Sequence, residues 1–290
     1  MLASILASGL ALGAVYALIG ITYNVMFSAS RVMSFTAGQL GMLGGVFGAM
    51  FILRLGLPIP LGLALTLVAC AGVGVLTEVV AVRPVLAKLD QHLYVLSTLA
   101  AALMIQQLTA IEWSTEPQPF PRLLGWGLLG WGVGILDEKF WLPVLACAAV
   151  VAGLEWMYRR TLVGRAFIAI AEDNFAARAL GLPERNLRMA SYALAGAVAG
   201  LAGFSSGQLL LAFFANGAML NFYGFVPVAL GSLGNNRGAV VGGFALGLFQ
   251  QAANFAVGGV FASVAVFAVF IVVLLAAPQG LFGAPAARRV

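Results

Sequence analysis

Three carboxylates stand at or inside long apolar runs: Glu78, Glu112 and Glu155. An acid near the middle of a membrane could relay protons or couple an ion gradient to solute movement. Each of these lies near the end of its run, and Arg83 or Arg159 is close enough along the chain to neutralise its nearest acid. Boundary carboxylates at the membrane–water interface therefore explain them better than a proton relay. A nucleotide site is poorly supported too. A phosphate-binding loop needs glycine-rich backbone amides followed by a lysine. The two lysines, Lys88 in PVLAKLD and Lys139 in LDEKFW, follow no such loop. HExxH and paired intramembrane acids are missing, which argues against an enzyme. Neither a regularly spaced arginine series nor a TVGYG-like filter is present, so voltage-sensor and potassium-channel chemistry are disfavoured. Cys70 and Cys147 are isolated in apolar runs and read as small hydrophobes. His92 is the lone histidine, too few for a zinc cluster, and no metal site is expected.

The elements that must position these residues are set by composition. The chain is 62% hydrophobic and 9% charged, with mean hydropathy +1.03. A soluble domain carries roughly 25% charged residues. Apolar runs at 4–26, 33–53, 60–80, 93–111, 141–157, 189–211 and 261–277, in which Glu78 and Glu155 are the charged residues, approach or reach the length of about 20 residues that a membrane-crossing helix needs. A further uncharged region, 222–257, is broken by Gly231, Gly234, Asn235, Asn236, Arg237 and Gly238. The piece before the break, Phe222–Leu230, is short enough to be a half-helix or re-entrant segment. The expected fold is all-α: one polytopic transmembrane helical bundle over 1–290, with about eight membrane segments including that short piece. The first run, Met1–Phe27, is too long for a signal-peptide core and lacks a basic start, so it reads as a retained span. The net charge of +5 follows from loop asymmetry rather than nucleic-acid binding.

Six of the fifteen Lys/Arg fall in 159–188, RRTLVGRAFIAIAEDNFAARALGLPERNLR. Loop 83–92 and the C-terminus, with Arg288 and Arg289, are also basic, whereas 112–140 is net acidic and holds Trp113, Trp126 and Trp131 beside Trp141. By the positive-inside rule the basic loops and the Arg237 break are cytoplasmic, which leaves the N-terminus outside and the C-terminus inside. Within 159–188 an alanine-rich helical stretch carries Glu172 and Asp173, Gly181 supplies a stop, and Pro183 prevents continuation. A short helix held between two spans on the cytoplasmic face suits docking against a soluble partner.

Glycines recur at three- and four-residue spacing in two places. SFTAGQLGMLGG (34–45) carries Gly38, Gly41, Gly44 and Gly45, and GAVVGGFALG (238–247) carries Gly238, Gly242, Gly243 and Gly247. Close helix packing accounts for most of them. The alternative is a weakly polar solute route, with Ser34, Phe35, Thr36, Gly38, Gln39 and Gly41 at the first segment and Gly231, Gly234, Asn235 and Asn236 at the second.

Four stretches carry a family resemblance: GLALGAVYALIGITYNVMF at 9–27, RVMSFTAGQLGMLGG at 31–45, GRAFIAIAEDNFAARALGLP at 164–183, and APQGLFG at 277–283. FVPVALGSLGNNRGAVVGGFALG at 225–247 fits the same pattern. In this order and spacing the chain resembles the LivH-type permease subunit of branched-chain amino acid ABC importers over nearly its whole length. The resemblance implies a bacterial inner-membrane protein that pairs with a LivM-like second permease, two ATP-binding cassette subunits and a periplasmic solute-binding protein. ATP and Mg²⁺ would be held by those partner ATPases and not by this chain. It also implies a coupling helix formed by Ala171, Glu172, Asp173, Ala176, Ala177 and Gly181. SFTAG departs from the family's NFAHG- or NFAQG-like sequence: Ser34 replaces asparagine and Ala37 replaces His/Gln. Leucine, isoleucine or valine is thus one expectation for the solute, beside other amino acids, amides or urea, and aromatic acids. A stand-alone facilitator for a small neutral solute is the alternative.

Overall fold

The computed structural model describes residues 2–86, 93–123 and 137–276. Lys88, His92, Trp126, Trp131 and the 277–290 tail lie outside them. The described residues form α1 (Leu2–Ser30), α2 (Ala37–Ala49), α3 (Ile59–Thr77), α4 (Leu93–Glu112), α5 (Glu138–Arg160) and α6 (Leu162–Glu172). These are followed by α7 (Asn174–Ala179), α8 (Glu184–Leu210), α9 (Asn216–Gly231), α10 (Asn236–Val257) and α11 (Gly259–Ala276). Wider i→i+5 turns prolong α2 over Met50–Arg54 and α3 over Glu78–Val82. Seven of these helices are long and apolar enough to cross a bilayer: α1, α2, α3, α4, α5, α8 and α10 with their extensions. The chain is therefore an all-α, multi-pass membrane bundle.

The short piece expected at Phe222–Leu230 is longer than its apolar run suggested. α9 begins at Asn216 and has 16 residues, about 24 Å at 1.5 Å per residue and still short of the roughly 30 Å hydrocarbon core. Polar Asn216 and small Gly217 and Ala218 open it, so a reading from hydrophobicity starts too late.

α1 is apolar on every side and occupies the centre, with Ala11, Ala14, Val15, Leu18, Ile19 and Met26 fully buried. It packs against α8, α9, α10 and α5. Glycines bring these helices into backbone contact. A Cβ on Gly203 of α8 would collide with the Gly41 carbonyl of α2, and one on Gly44 would collide with Gly200. Gly247 of α10 meets Gly13 of α1, and Gly231 meets Gly238 across the α9–α10 turn. The packing explanation thus holds for most of both glycine runs. They do not share one partner, however: Gly38 faces Gly217 and Asn221 of α9, and Gly41 faces Ile19 of α1. The outer helices α3, α4 and α11 expose Val68, Leu76, Met104, Ile111, Val264 and Leu275, an apolar face suited to lipid.

Contacts sort the loops into two ends. At one end Arg31 bonds the Ala171 carbonyl, Arg83 and Arg188 converge on Glu78, and Arg159 and Arg237 share Glu155. At the other, Arg54 stacks over Trp113 with 4.3 Å to the ring centroid, and Gln118 pairs with Ala212. The six arginines of 159–188 therefore share an end with Arg31, Arg83 and Arg237.

Candidate functional site

Two regions hold the residues singled out from sequence. The first is the 161–183 segment. The spacing suggested one docking helix, and the structure divides it in two at Asp173. That residue is extended (φ −145°, ψ 102°), and its carboxylate accepts from the backbone N–H of Phe175 at 2.9 Å and Ala176 at 3.1 Å. An aspartate is a strong helix N-cap, so α7 starts afresh where a continuous α6 had been expected. Thr161 caps α6 the same way, accepting from the Gly164 N–H at 3.0 Å.

At the far end Gly181 has φ +83°, the Gly181 N–H bonds the Arg178 carbonyl at 2.9 Å, and the Leu182 N–H bonds the Ala177 carbonyl at 3.1 Å. These two bonds define a Schellman stop, in which the left-handed position favours glycine. Ala171 and Glu172 thus close α6, Asp173 is the hinge, and Ala176 and Ala177 belong to α7. Ala177 is buried, while Phe175 is 78% and Leu180 82% exposed. Two large apolar side chains therefore project from a short helix fixed at both ends.

This elbow is tied to the bundle by ions. Arg178 of α7 pairs with Glu184 at 3.3 Å, Glu184 with Arg188 at 3.2 Å, and Arg188 with Glu78 at 2.8 Å. Arg83 completes the group, 2.6 Å from the second oxygen of Glu78. Glu78 is wholly buried. The expected neutralisation by Arg83 is present, but Arg188, 110 residues away in sequence, was not foreseen. Glu155 likewise pairs with Arg159 at 2.6 Å, and with Arg237 at 2.5 Å.

The second region splits the expected solute route into two places. Gly231, Gly234, Asn235 and Asn236 form the α9–α10 turn at the arginine-rich end. There the Asn235 side chain caps α10 through the Gly238 N–H at 3.1 Å, and the Gly234 N–H bonds Asn24 at 2.9 Å. Asn236 and Gly234 border a 330 Å³ hollow with Glu172, Ala171 and Tyr158. Ser34, Phe35, Thr36, Gly38, Gln39 and Gly41 lie elsewhere, where the turn after α1 leads into α2.

Asn221 of α9 organises that second place. Its amide nitrogen donates to the Phe35 carbonyl at 2.5 Å, and its oxygen accepts from the Gly38 N–H at 2.7 Å and the Tyr23 hydroxyl at 2.9 Å. Ser34 and Thr36 hydroxyls bond each other at 2.8 Å. Phe35 and Gln39 line a 280 Å³ cavity with Gln106, Asn221, Phe222 and Phe225. Gln39 is 2% exposed, and its Nε2 donates to Gln106 at 3.4 Å. Gly41 is taken up by packing. Asn221 and Gln106 escaped the sequence reading, although each is a polar residue inside an apolar run, a signal that marks a position for inspection.

A bundle of membrane-crossing helices, with a cap-defined elbow at one end, defines a multi-pass membrane protein. The chain belongs to the family described as branched-chain amino acid transport system / permease component, whose profile matches residues 5–277. It is 26% identical to the high-affinity branched-chain amino acid transport system permease protein LivH of Escherichia coli K12, over 98% of this chain and 96% of that protein. It is 25% identical to BraD of Pseudomonas aeruginosa, a permease protein of the same description, with 98% and 97% covered. A probable branched-chain amino acid transport permease protein LivH of Methanocaldococcus jannaschii is 25% identical, with 92% and 88% covered. Among solved structures, PsaBC from Streptococcus pneumoniae in complex with Fab superposes with TM-score 0.53 at 13% identity, covering 95% of this chain and 91% of that one. The latter likeness concerns the fold alone.

Proposed function

We infer that this chain is a permease subunit of a bacterial inner-membrane ABC importer. It works beside a second, LivM-like permease, two ATP-binding cassette subunits that bind ATP and Mg²⁺, and a periplasmic solute-binding protein. The observation that carries this reading is the α6–α7 elbow. Capped at Thr161, Asp173 and Gly181, it presents Phe175 and Leu180 to water at the end where the arginines gather. Exposed aromatic and aliphatic anchors on a fixed helix fit a groove on a partner. The positive-inside rule puts that end in the cytoplasm, with the N-terminus outside. Ala171, Glu172, Asp173, Ala176, Ala177 and Gly181 act as the coupling segment, and movement of the ATPases reaches the spans through Arg178, Glu184, Arg188 and Glu78.

The relatives' names favour a branched-chain amino acid or a similar small amphipathic solute. The reading is tested by reconstituting the chain in liposomes with and without its partner subunits. Solute accumulation that needs ATP and the partners supports it. Downhill flux through this chain alone, indifferent to ATP, would replace it with a facilitator.

A further inference from the structure

The groove between α5 and α10, where Ile21 of α1 also lines the wall, changes character along its length. Val151, Glu155, Tyr158 and Arg159 recur at three- and four-residue spacing, so they share one face of α5, apolar first and charged toward the helix end. α10 begins where α5 ends, and it presents Asn236 and Arg237 before Val240 and Val241. Both helices therefore put charge at the same end of a 450 Å³ slot and leave hydrocarbon along the rest. At the mouth Glu155 holds Arg159 at 2.6 Å and Arg237 at 2.5 Å, and these arginines are 67% and 76% exposed. Two guanidinium groups against one carboxylate leave a positive charge over. Trp156, 64% exposed and next to Glu155 in the chain, stands near the same level, as aromatic side chains do at the boundary between hydrocarbon and headgroups.

We propose that this slot binds one anionic phospholipid from the leaflet on the arginine-rich side. The lipid phosphate accepts from Arg159 and Arg237, whose planar N–H forks suit a phosphate, and one acyl chain lies along Val151, Val240 and Val241. An anionic headgroup answers the surplus cation at the mouth, whereas a zwitterionic lipid brings an ammonium group for which Glu155, already shared by two arginines, has little left to offer. An arginine near an anionic membrane surface strengthens such binding about fivefold. Ile168 of α6 forms part of the wall, so the bound lipid touches α5, α10 and the first helix of the elbow together. The site stands whether or not the elbow docks an ATPase.

The test uses the chain with the subunits that co-purify with it, placed in phosphatidylcholine nanodiscs. Two photoreactive lipids are compared, phosphatidylglycerol and phosphatidylcholine with the same diazirine in the acyl chain, and adducts are mapped by peptide mass spectrometry. The phosphatidylglycerol probe should label Val151, Val240 or Val241 several-fold more than the phosphatidylcholine probe, and unlabelled phosphatidylglycerol should displace it. Arg237→Gln, which leaves Glu155 its Arg159 partner, should lower that labelling about fivefold. Glu155→Gln frees both arginines and should raise it. A fall in both variants marks ion pairs that only hold the helix ends, and would overturn the site. Equal labelling by the two probes, the sign of ordinary lipid contact, would overturn it too. So would a groove left unlabelled because another subunit covers it, or displacement of the probe by inorganic phosphate at matched ionic strength, which marks a soluble anion.

Discussion

Replacing Arg188 by methionine isolates the energetics of the group that joins α3 to α8. Glu78 is wholly buried and accepts from Arg188 Nε at 2.8 Å and from Arg83 at 2.6 Å and 3.4 Å. Arg188 is itself only 8% exposed, whereas Arg83 is 25% exposed and can turn toward water. Removing one partner of a buried ion pair costs about 3–5 kcal/mol, because the remaining charge is stranded. Arg83 still holds one oxygen, which places Arg188→Met near the bottom of that range, at about 3 kcal/mol. The double variant Arg188→Met/Glu78→Gln removes the stranded charge along with its partner and should cost less, about 1 kcal/mol, since replacing both members of a buried pair is often close to neutral. The assay is unfolding of the purified protein in detergent, followed by the midpoint in a thermal or denaturant series. An Arg188→Met loss no larger than that of the double variant would refute the account of Glu78 as a charge held by two arginines.

Three further outcomes follow from local geometry. Gly203→Ala forces a Cβ into the Gly41 carbonyl and should destabilise by about 1–3 kcal/mol, whereas Gly45→Ala has its nearest neighbour, the Gly203 carbonyl, at 3.5 Å and should be nearly neutral; equal losses in a melting assay would contradict the packing. In the elbow, Asp173→Ala should cost about 1 kcal/mol of cap energy, read as faster amide exchange at Phe175 and Ala176. Gly181→Pro cannot adopt φ +83°, and Glu172→Arg reverses an exposed charge at the end of α6; both should insert normally yet lose solute-stimulated ATP hydrolysis, and normal coupling in both would remove the docking role.

Span positions were legible because apolar length is a one-dimensional property: the runs at 4–26, 60–80 and 93–111 fall within α1, within α3 and its wider turn, and within α4. The glycine spacings also foretold close approach. What escaped depends on the third dimension. Glu78 and Arg188 meet only after α3 packs on α8, and nothing along the chain couples positions 110 residues apart. Asn221 looked like one polar interruption, and its role in pinning the Phe35–Gly38 turn arises from α9 lying against α2. The elbow's break at Asp173 was hidden because Glu172 and Asp173 sit within a helical pattern, and only the cap geometry decides where one helix ends. The two glycine-bordered segments looked like one route because sequence does not reveal which end of the bundle each occupies.

Site-specific photocrosslinking from position 175 bears most directly on the docking account. With a photoreactive amino acid in place of Phe175, and the chain left in its native membrane, irradiation should yield one dominant adduct whose partner is a P-loop ATPase, identified by mass spectrometry. Adducts confined to lipid or to this chain itself, in membranes where uptake is active, would show that the elbow docks no ATPase and would contradict the proposed coupling.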